Sequence, residues 1–480
     1  MGGGLMQLVA YGAQDIYLTG NPQITFFKVV YRRHTNFSME TIEQTISGSQ
    51  TASTTGTVTI SRNGDLVYKV YVTCAMTAGE DGNTLIDNVE VEIGGQRIDK
   101  QTTEWNQIWG DLSTPASKAD GFKCMTGACG NSNVNVVGEV HVPLNFWFCR
   151  NPGLALPLIA LQYHEVKLKC AWGAAAGTRK VLCDYIYLDT DERRRFAQVS
   201  HEYLIEQVQE QSCSGEDSNK LNFNHPVKEL IWTSVATNAY GTALLKLNGH
   251  DRFSAQQEEY FQLRQPYDYH TSVPGQNIVL TDRPQSLAQP ELVLATAKVH
   301  ASSAAADDSF VVVAHATTDN LLIQMAAAPV VSVGDILLIH YPTTADAESE
   351  SIVVKVTAVP ATFALSTADQ AFSILACGTA APTTGVAPTV SAAGNGTIYK
   401  IASVQDPKSK TGSLTKKLNC YSFALKPEEH QPSGTCNFSR IDNAQLNTTG
   451  TALTVAENIY AVNYNVLRIM SGMGGLAYSN

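Results

Sequence analysis

Short runs in which apolar and polar residues alternate recur along this chain, and they restrict its fold more than any other feature. Residues 69–76, 89–93 and 166–171 place apolar side chains at every second position. Successive side chains of a β-strand point to opposite faces, so this period buries one face and exposes the other. No long helical pattern is visible, although residues 256–264 are typical of a short helix. The pattern predicts a chain built mainly from strands.

Turn signals separate the alternating runs. Glycine and proline pairs of this kind are typical of tight connections between neighbouring strands. Many short strands joined by such turns indicate β-sandwiches or barrels rather than a fold of alternating strands and helices. The signals are Asn63-Gly64-Asp65, Gly94-Gly95, Asn151-Pro152-Gly153, Asn248-Gly249 and Pro432-Ser433-Gly434.

Two parts of the chain resemble each other. Residues 91–98 and 245–253 each read as an alternating strand, a glycine turn, an arginine and an apolar residue. A looser similarity relates residues 146–170 to residues 423–446, and the two similarities occur in the same order. Such repetition indicates a duplicated structural unit. We therefore predict two copies of one β-rich unit, joined near residue 200; chance similarity between short matches is the alternative.

The second copy is longer than the first between equivalent positions. Gly95 and Pro152 are 57 positions apart, whereas Gly249 and Pro427 are 178 positions apart. The excess coincides with residues 284–400, which are rich in Ala, Val and Thr and poor in aromatic residues. Strand-like runs favour a folded β-rich insert at the surface over a disordered loop. These runs are residues 310–314, 336–339 and 352–359, with a turn signal at residues 333–335.

The charge balance narrows the class of protein. Charged residues make up 16% of the 480 residues, and the formal net charge is −11; about 25% charged residues is usual. A protein that coats nucleic acid needs lysine and arginine to displace counterions from phosphate. Direct binding to nucleic acid is therefore not expected. Apolar residues make up 44% of the chain, and roughly 150 residues per domain suggests about three domains.

Neither a secretion signal nor a membrane-spanning helix is expected. A spanning helix needs about 20 consecutive apolar residues, and the apolar residues 154–161 are interrupted by Pro157. Without a secretion signal, the ten cysteines are expected to be reduced. Cys124 and Cys129 have no second close pair to complete a zinc site. No metal or other cofactor is expected.

No catalytic signature is found. The chain has neither a phosphate-binding loop pattern nor a Gly-x-Ser-x-Gly nucleophile elbow. His164-Glu165 and His201-Glu202 begin like a zinc-protease motif, but the second histidine is missing in both. These histidines are expected to be structural or surface groups. Residues 472–477 are expected to pack closely against a neighbouring segment rather than to form a dinucleotide loop.

Two basic clusters and four glycosylation sequons remain to be interpreted. Residues 32–34 and 193–195 are basic, and solvated faces or ion pairs are favoured over phosphate binding. The sequons are candidate glycosylation sites, and most are expected to be unused by the secretory route. Their asparagines are Asn36, Asn395, Asn437 and Asn447.

Several ordered segments carry a family resemblance. They are residues 8–15, 17–28, 31–33, 93–99, 152–164, 431–440 and 463–468. In these segments the chain resembles the major capsid proteins of large eukaryotic (nucleocytoplasmic) double-stranded DNA viruses, above all those of algal viruses. The resemblance covers most of the chain but does not extend to the inserted region.

The resemblance implies two consecutive jelly rolls, each an eight-stranded β-sandwich. The expected fold is therefore all-β, a double jelly roll with a small β-rich domain inserted in a loop of the second. The expected divisions are an N-terminal arm at the inner base (residues 1–25), the first jelly roll (26–199) and the second (200–480). The insert (284–400) is expected on the outer surface.

The resemblance also implies a structural function and no enzymatic activity. Three chains would form a pseudo-hexameric homotrimeric capsomer, and many capsomers would tile an icosahedral shell. The implied partners are neighbouring capsomers, minor capsid and penton proteins, and the internal viral membrane through the N-terminal arm. The implied location is the virion, with assembly in the host cytoplasm.

Two other functions are alternatives to the structural one. A glycan-binding β-sandwich protein, binding through the inserted domain, is the main alternative. A jelly-roll enzyme is disfavoured because the chain lacks a His-x-His pair and a nucleophile motif. No catalytic, cofactor-binding or metal-ligating residue is assigned.

Overall fold

The computed structural model describes the greater part of the chain. Strands arranged in sheets make up most of its regular structure, as the expected all-β class requires. The turn signal at residues 333–335 and Cys129 lie outside the described residues. The described residues are 3–10, 12–75, 82–127, 139–235, 240–273, 291–299, 309–314, 320–325, 336–342, 349–356, 371–376, 394–402 and 416–478.

The first half of the chain contributes ten described strands and six described α-helices. The strands are β1 (Phe37–Gln44), β2 (Ile46–Gly48), β3 (Thr55–Thr59), β4 (Leu66–Ala75), β5 (Ile86–Ile93), β6 (Gln96–Thr102), β7 (Glu139–Pro143), β8 (Leu156–Pro157), β9 (Val166–Trp172) and β10 (Arg179–Leu188). The helices are α1 (Gly3–Val9), α2 (Asp15–Thr19), α3 (Thr103–Ser113), α4 (Ala116–Thr126), α5 (Trp147–Arg150) and α6 (Thr190–Gln198).

These ten strands form two antiparallel sheets around one apolar core, which we call the first sandwich. Sheet A has the order β1-β10-β4-β7, with β8 beside β4, and sheet B has the order β2-β3-β9-β5-β6. The alternation read from the sequence decides which side chains enter the core. Val89, Val91 and Ile93 of β5 are fully buried, whereas Glu90 and Glu92 between them are partly exposed.

The second half begins with six strands and a short helical segment. The strands are β11 (His201–Ser212), β12 (Ser218–Leu221), β13 (Pro226–Val235), β14 (Thr242–Leu247), β15 (His250–Asp251) and β16 (Gln256–Gln257). A single π-helical turn, Tyr260–Arg264, then leads directly into α7 (Gln265–Tyr269). The short helix expected within residues 256–264 is therefore present, but it begins only after β16.

Seven further strands close into a barrel. Its order is β17-β18-β19-β22-β21-β20-β23, and within it β17 pairs with β18 in parallel. The strand-like runs read from the sequence correspond to β18, β20 and β21. The strands are β17 (Glu291–Val299), β18 (Ser309–Ala314), β19 (Asn320–Met325), β20 (Ile336–Pro342), β21 (Ser349–Val356), β22 (Ala371–Ala376) and β23 (Gly394–Ala402).

Five strands after the barrel complete the second sandwich. Sheet C has the order β11-β27-β13-β24, with β25 beside β13 and β28 beside β27. Sheet D has the order β12-β26-β14-β15, with β16 beside β14. The added strands are β24 (Lys416–Ser422), β25 (Cys436–Asn437), β26 (Ala444–Thr449), β27 (Asn458–Met470) and β28 (Met473–Leu476).

The two sandwiches have the same strand order. If β2 and β3 count as one strand, β15 and β16 as another, and the short strands β8, β25 and β28 beside the main order are left out, each sandwich has eight strand positions. Sheets A and C then both run first, eighth, third, sixth, and sheets B and D both run second, seventh, fourth, fifth. The two halves therefore repeat one topology, as the internal sequence similarity predicts.

The apolar core of the first sandwich continues into the second. Ile205 of β11 and Leu467 and Ile469 of β27 are buried in the same cluster as the strands of sheets A and B. A separate cluster is formed where α3 covers the outer face of sheet C. It contains Trp105, Ile108, Trp109 and Leu112 of α3 and Ile231, Leu418, Cys420, Tyr460 and Val462 of sheet C.

Helices α3 and α4 were missed in the sequence, although each has 11 residues. The apolar residues of α3 follow the helical spacing i, i+3, i+4, i+7, but only over two turns. The Thr102 hydroxyl accepts a hydrogen bond from the Trp105 N–H and so caps the first turn. The helical pattern of α3 is thus present in the sequence, but it is short. It also lies between runs in which apolar and polar residues alternate as in strands.

The glycine-rich residues 472–477 pack closely against the first sandwich, as expected. A Cβ atom on Gly474 would lie 2.7 Å from Leu161 Cδ2, and the Gly474 carbonyl lies 2.9 Å from Nδ1 of His164. Gly472 has a φ of +79°, which favours glycine, and a Cβ there would lie 2.7 Å from the Tyr163 ring. The C-terminal hairpin therefore fastens the second sandwich to the first.

Replacing Leu467 with alanine is expected to destabilise both sandwiches together. The side chain belongs to the second sandwich but is fully buried in the core of the first. Loss of a buried leucine costs about 2–5 kcal/mol. Urea unfolding followed by tryptophan fluorescence should show one transition moved to lower urea. Met470→Ala, at a half-exposed position of the same strand, is the control. Two transitions, of which only one moves, would contradict the shared core.

Candidate assembly surfaces

The segment before β1 exposes an unusual number of large apolar side chains. Leu18 is 86% exposed and Phe27 is 97% exposed, so neither packs on a sandwich. Monomeric soluble proteins rarely leave apolar surface uncovered over such a length, and a covering partner is the usual reason for it. The apolar side chains more than half exposed are Leu5, Met6, Leu8, Val9, Ile16, Tyr17, Leu18, Ile24, Phe26, Phe27, Val29, Val30 and Tyr31.

The two basic clusters have different surroundings. Arg32 and Arg33 are exposed among the apolar residues that precede β1. Arg193, by contrast, contacts the largely buried Asp65 with Nε 2.9 Å from Oδ1, and Asp65 also accepts the Leu188 N–H. The ion-pair interpretation is therefore confirmed for Arg193. Its role is to hold α6 against sheet A.

Six charged side chains gather where the two sandwiches meet, and we call them the charged junction: Arg150, Glu206, Lys228, Glu229, His270 and Glu428. Glu206 of β11 is at its centre. Its Oε2 lies 2.6 Å from Nη1 of Arg150, and its Oε1 lies 2.7 Å from Nζ of Lys228. Burial lowers the pKa of Lys228, and the Glu206 and Glu229 carboxylates oppose that shift. Arg150 comes from the first sandwich, so Glu206 links the two units.

His270 lies between two carboxylates of the charged junction. Its Nε2 is 3.1 Å from Glu229 and its Nδ1 is 3.0 Å from Glu428, and its side chain is almost fully buried. Burial by itself lowers the pKa of His270. The Glu229 charge, together with hydrogen bonds that the imidazolium makes to Cys420, Glu229 and Glu428, outweighs burial and holds that pKa well above its ordinary value. The imidazolium therefore ties the end of α7 to sheet C.

Asp99 joins the edges of the two sandwiches near the same place. Its carboxyl accepts the Val208 N–H at 3.1 Å, and Gln207 donates to the Ile98 carbonyl from β11 to β6. Burial raises the pKa of Asp99 to about 7, although the hydrogen bonds and Arg150 act in the opposite direction. This carboxyl is therefore partly protonated at neutral pH.

An open cleft of about 320 Å³ lies beside the charged junction. Its lining includes Arg150, Glu206 and Glu428 of the charged junction, together with Trp147 and His430. Burial lowers the pKa of His430, so this imidazole is neutral at pH 7. Within the described residues, no group of three or more His, Cys, Asp or Glu side chains is arranged to hold a metal ion. Likewise, no described helix is long and apolar enough to cross a membrane.

Glycosylation of the four sequon asparagines stays a prediction. Asn36 is exposed just before β1, and Asn395 lies in β23 opposite Lys298. Asn437 is exposed but accepts the Ser439 N–H. Asn447 is half-buried in β26 and accepts a hydrogen bond from Ser218. The side chains of the last two are therefore already engaged.

Comparison with known proteins identifies the family. A model of the N-terminus of major capsid proteins matches residues 25–182, and a model of the large eukaryotic DNA virus major capsid protein matches residues 192–243 and 403–475. The major capsid protein of Pyramimonas orientalis virus is 43% identical over the whole of both chains. The chain belongs to the major capsid protein family of large eukaryotic DNA viruses. The resemblance to algal-virus proteins read from the sequence is therefore confirmed.

Other major capsid proteins are similar over the same full length. That of Paramecium bursaria Chlorella virus 1 is 37% identical over all of both chains. The crystal structure of PBCV-1 VP54, fitted into a reconstruction of the virophage Sputnik, covers 95% of this chain and 100% of its own, with a TM-score of 0.58 and 30% identity. The matches to the family models lie on either side of the barrel and leave it out.

Sequence reasoning did not find the charged junction. Arg150 and Glu206 are 56 positions apart, and His270 and Glu428 are 158 positions apart. The residues near Glu206 do not alternate cleanly, because β11 buries Ile205, Glu206 and Gln207 in succession. This break in the alternation of apolar and polar residues along β11 could have indicated the charged junction. A strand that is buried on both faces lies between two packed units.

Glu206→Gln is expected to lower the free energy of unfolding by about 3–5 kcal/mol, because two buried cations lose their carboxylate. Glu202→Gln is the matched control on the same strand. Glu202 pairs with Arg468 at 2.8 Å, but both side chains are more than half exposed, and such a pair contributes about 0–1 kcal/mol. Urea unfolding measures both variants. Equal effects would show that the charged junction contributes no more than a surface pair.

The charged junction also predicts a pH dependence. The pKa of His270 is higher in the folded chain than in the unfolded chain, so its stabilising effect is complete below about pH 6.5 and is lost as the pH rises through the folded value. Above pH 6.5 this group should reduce the free energy of unfolding by up to about 1.4 kcal/mol per pH unit. His270→Gln removes that slope. Urea titrations from pH 6.5 to 8.5 compare the two proteins; parallel pH curves would contradict the assignment.

Proposed function

We propose that this chain is the double-jelly-roll subunit of a homotrimeric, pseudo-hexameric capsomer that tiles an icosahedral shell. The observation that carries the proposal is the identical strand order of the two sandwiches within one chain. Eight strands in this order correspond to the jelly-roll architecture. Three such chains supply six similar units, and six similar units around one axis fill a near-hexagonal outline that packs into a continuous surface.

The proposed domain division follows the sheets. Residues 26–199 and 200–480 are the two jelly rolls, residues 1–25 are an arm, and residues 284–400 are a guest domain on the outer surface. The closed barrel supports the last assignment, because all seven of its strands pair with one another. Because the barrel needs no strand from the second sandwich, that sandwich can form its own sheets from the residues on either side of the insert.

The proposed role is structural and not enzymatic. Relatives that match over their full length include major capsid proteins, and a quasi-atomic model of the PBCV-1 virus capsid matches with a TM-score of 0.58 and 29% identity. The proposed location is the virion, after assembly in the host cytoplasm. The proposed partners are neighbouring capsomers and minor capsid and penton proteins, with no direct contact to nucleic acid.

The segment before β1 is the proposed inner contact of the capsomer, with the minor capsid proteins or the internal membrane as its partner. Its exposed apolar side chains support this role, because they would be covered only in an assembly. Repeated contacts of this kind need not be strong singly, since many act together in a shell.

The purified full-length chain is expected to be a stable trimer. Light scattering coupled to size-exclusion chromatography should give three times the mass of the 51.8 kDa chain across micromolar concentrations. Electron microscopy of concentrated samples should then show hexagonal arrays. A variant lacking residues 1–25 should remain trimeric but form arrays less readily. A full-length chain that is only monomeric at every concentration would overturn the proposal.

A further inference from the structure

The helical segment Tyr260–Tyr269 of the second sandwich occupies the position that α3 has in the first. The Arg97-Ile98 and Arg252-Phe253 pairs of the internal repeat are 155 positions apart. Arg97-Ile98 lies within β6, and Arg252-Phe253 lies between β15 and β16; in each sandwich this is the last strand position before the helix. Applied to the helices, the same offset places Tyr260, Leu263, Arg264 and Tyr267 at the positions of Trp105, Ile108, Trp109 and Leu112.

The two sets of four residues differ in what covers them. Those of α3 are buried against sheet C within the same chain. In the second sandwich, Tyr267 is 78% exposed, Arg264 is exposed, and Leu263 is only partly buried. Tyr260 is also partly buried, because it packs against the core of its own sandwich. The opposite side of this segment is anchored, because Phe261 and Gln265 are buried in their own sandwich. A firmly held helical face is therefore left open.

Sheet A offers the surface equivalent to the one that α3 covers on sheet C. Strands β4 and β13 both have ten residues, and aligning them pairs Tyr71 with Ile231. Tyr71 faces Leu182 across the sheet, as Ile231 faces Tyr460. Tyr71 and Leu182 are only partly buried, and Phe37 and Met39 on the same face of β1 are about half exposed. This part of sheet A therefore lacks the helix that covers sheet C.

We propose that the open helical face of one chain (Leu263, Arg264 and Tyr267) packs on the outer face of sheet A (Tyr71, Leu182 and Asp184) of a second copy. The inference rests on the proposed trimer and names the contact that holds it together. It repeats between chains the contact that α3 makes within a chain.

Continuity with the contact inside the chain argues for a second copy as the occupant. Within one chain, the helix of the first sandwich covers the sheet of the second. The uncovered helical face belongs to the second sandwich, and the uncovered sheet, sheet A, belongs to the first. A contact between them would therefore again place a helix of one sandwich on a sheet of another. Surfaces that join head to tail form a closed ring when the rotation permits. Alternating contacts within and between chains would complete a ring of six sandwiches.

The contact between chains differs from its internal counterpart in polarity. Arg264 stands at the position of Trp109, and Asp184 stands two residues beyond Leu182, as Val462 stands two beyond Tyr460. The apolar pair Trp109 and Val462 of the internal contact thus corresponds to Arg264 and Asp184, which carry opposite charges. The Asp184 carboxylate is held by a 2.6 Å hydrogen bond from the Thr41 hydroxyl. Such a surface remains soluble in the free chain and favours one register on association.

Tyr267→Asp and Leu182→Asp are designed to disrupt the two sides of this contact. Each places a carboxylate in a surface that becomes buried, and we expect each to weaken trimer association by roughly 100-fold, as for a central interface residue. Leu425→Asp is the matched control, because Leu425 is 74% exposed and belongs to neither surface. Light scattering over a dilution series measures association, and circular dichroism verifies folding.

Hydrogen exchange on the wild-type chain provides a second test that needs no variant. Residues 260–269 and 179–188 should exchange more slowly in the trimer than in the dissociated chain. A wild-type chain that never trimerises would overturn the proposed function itself. Trimers that tolerate both aspartates, or that leave exchange in the two segments unchanged, would overturn this contact while leaving the trimer intact.

Discussion

The packing of α3 on the outer face of sheet C is the contact on which the rest of the structure depends. The Trp105 ring lies 5.4 Å from that of Tyr460, and the helix buries the back of a sheet whose front already faces its own core. Sheet C is therefore covered on both faces. Together with the burial of β27 residues in the first core, this contact packs the two sandwiches against each other within one chain.

The charged junction refines this arrangement rather than driving it. Buried ion pairs contribute little net stability, because desolvation offsets their attraction, but a missing partner is costly. Glu206 accordingly penalises any arrangement of the sandwiches that separates it from Arg150. Apolar packing holds the two sandwiches together, and the charged side chains favour one relative position of the two. A shell built from many copies needs that uniformity, since small angular errors accumulate over a lattice.

Much of the fold could be predicted from local sequence. The period of Val89, Val91 and Ile93 correctly predicted a strand with one buried face, and the glycine turns predicted where strands end. The helices were missed because two turns of α3 make a weaker signal than the strands beside it. The exposure of Phe27 could not be predicted, because its apolar surroundings in sequence are equally typical of a buried segment.

The sequence by itself determined the strand-rich class, the repeated unit and the existence of a β-rich insert, because each of these is recorded in neighbouring residues or in repeated spacing. The internal repeat also aligns the helical segment Tyr260–Tyr269 with α3. Only the tertiary structure decided that one of them is covered and the other open, and that Glu206 lies between two cations. Both facts depend on which surfaces come into contact although they are distant in sequence. That contact, and not any local segment, determines how far a side chain is buried and which charges surround it.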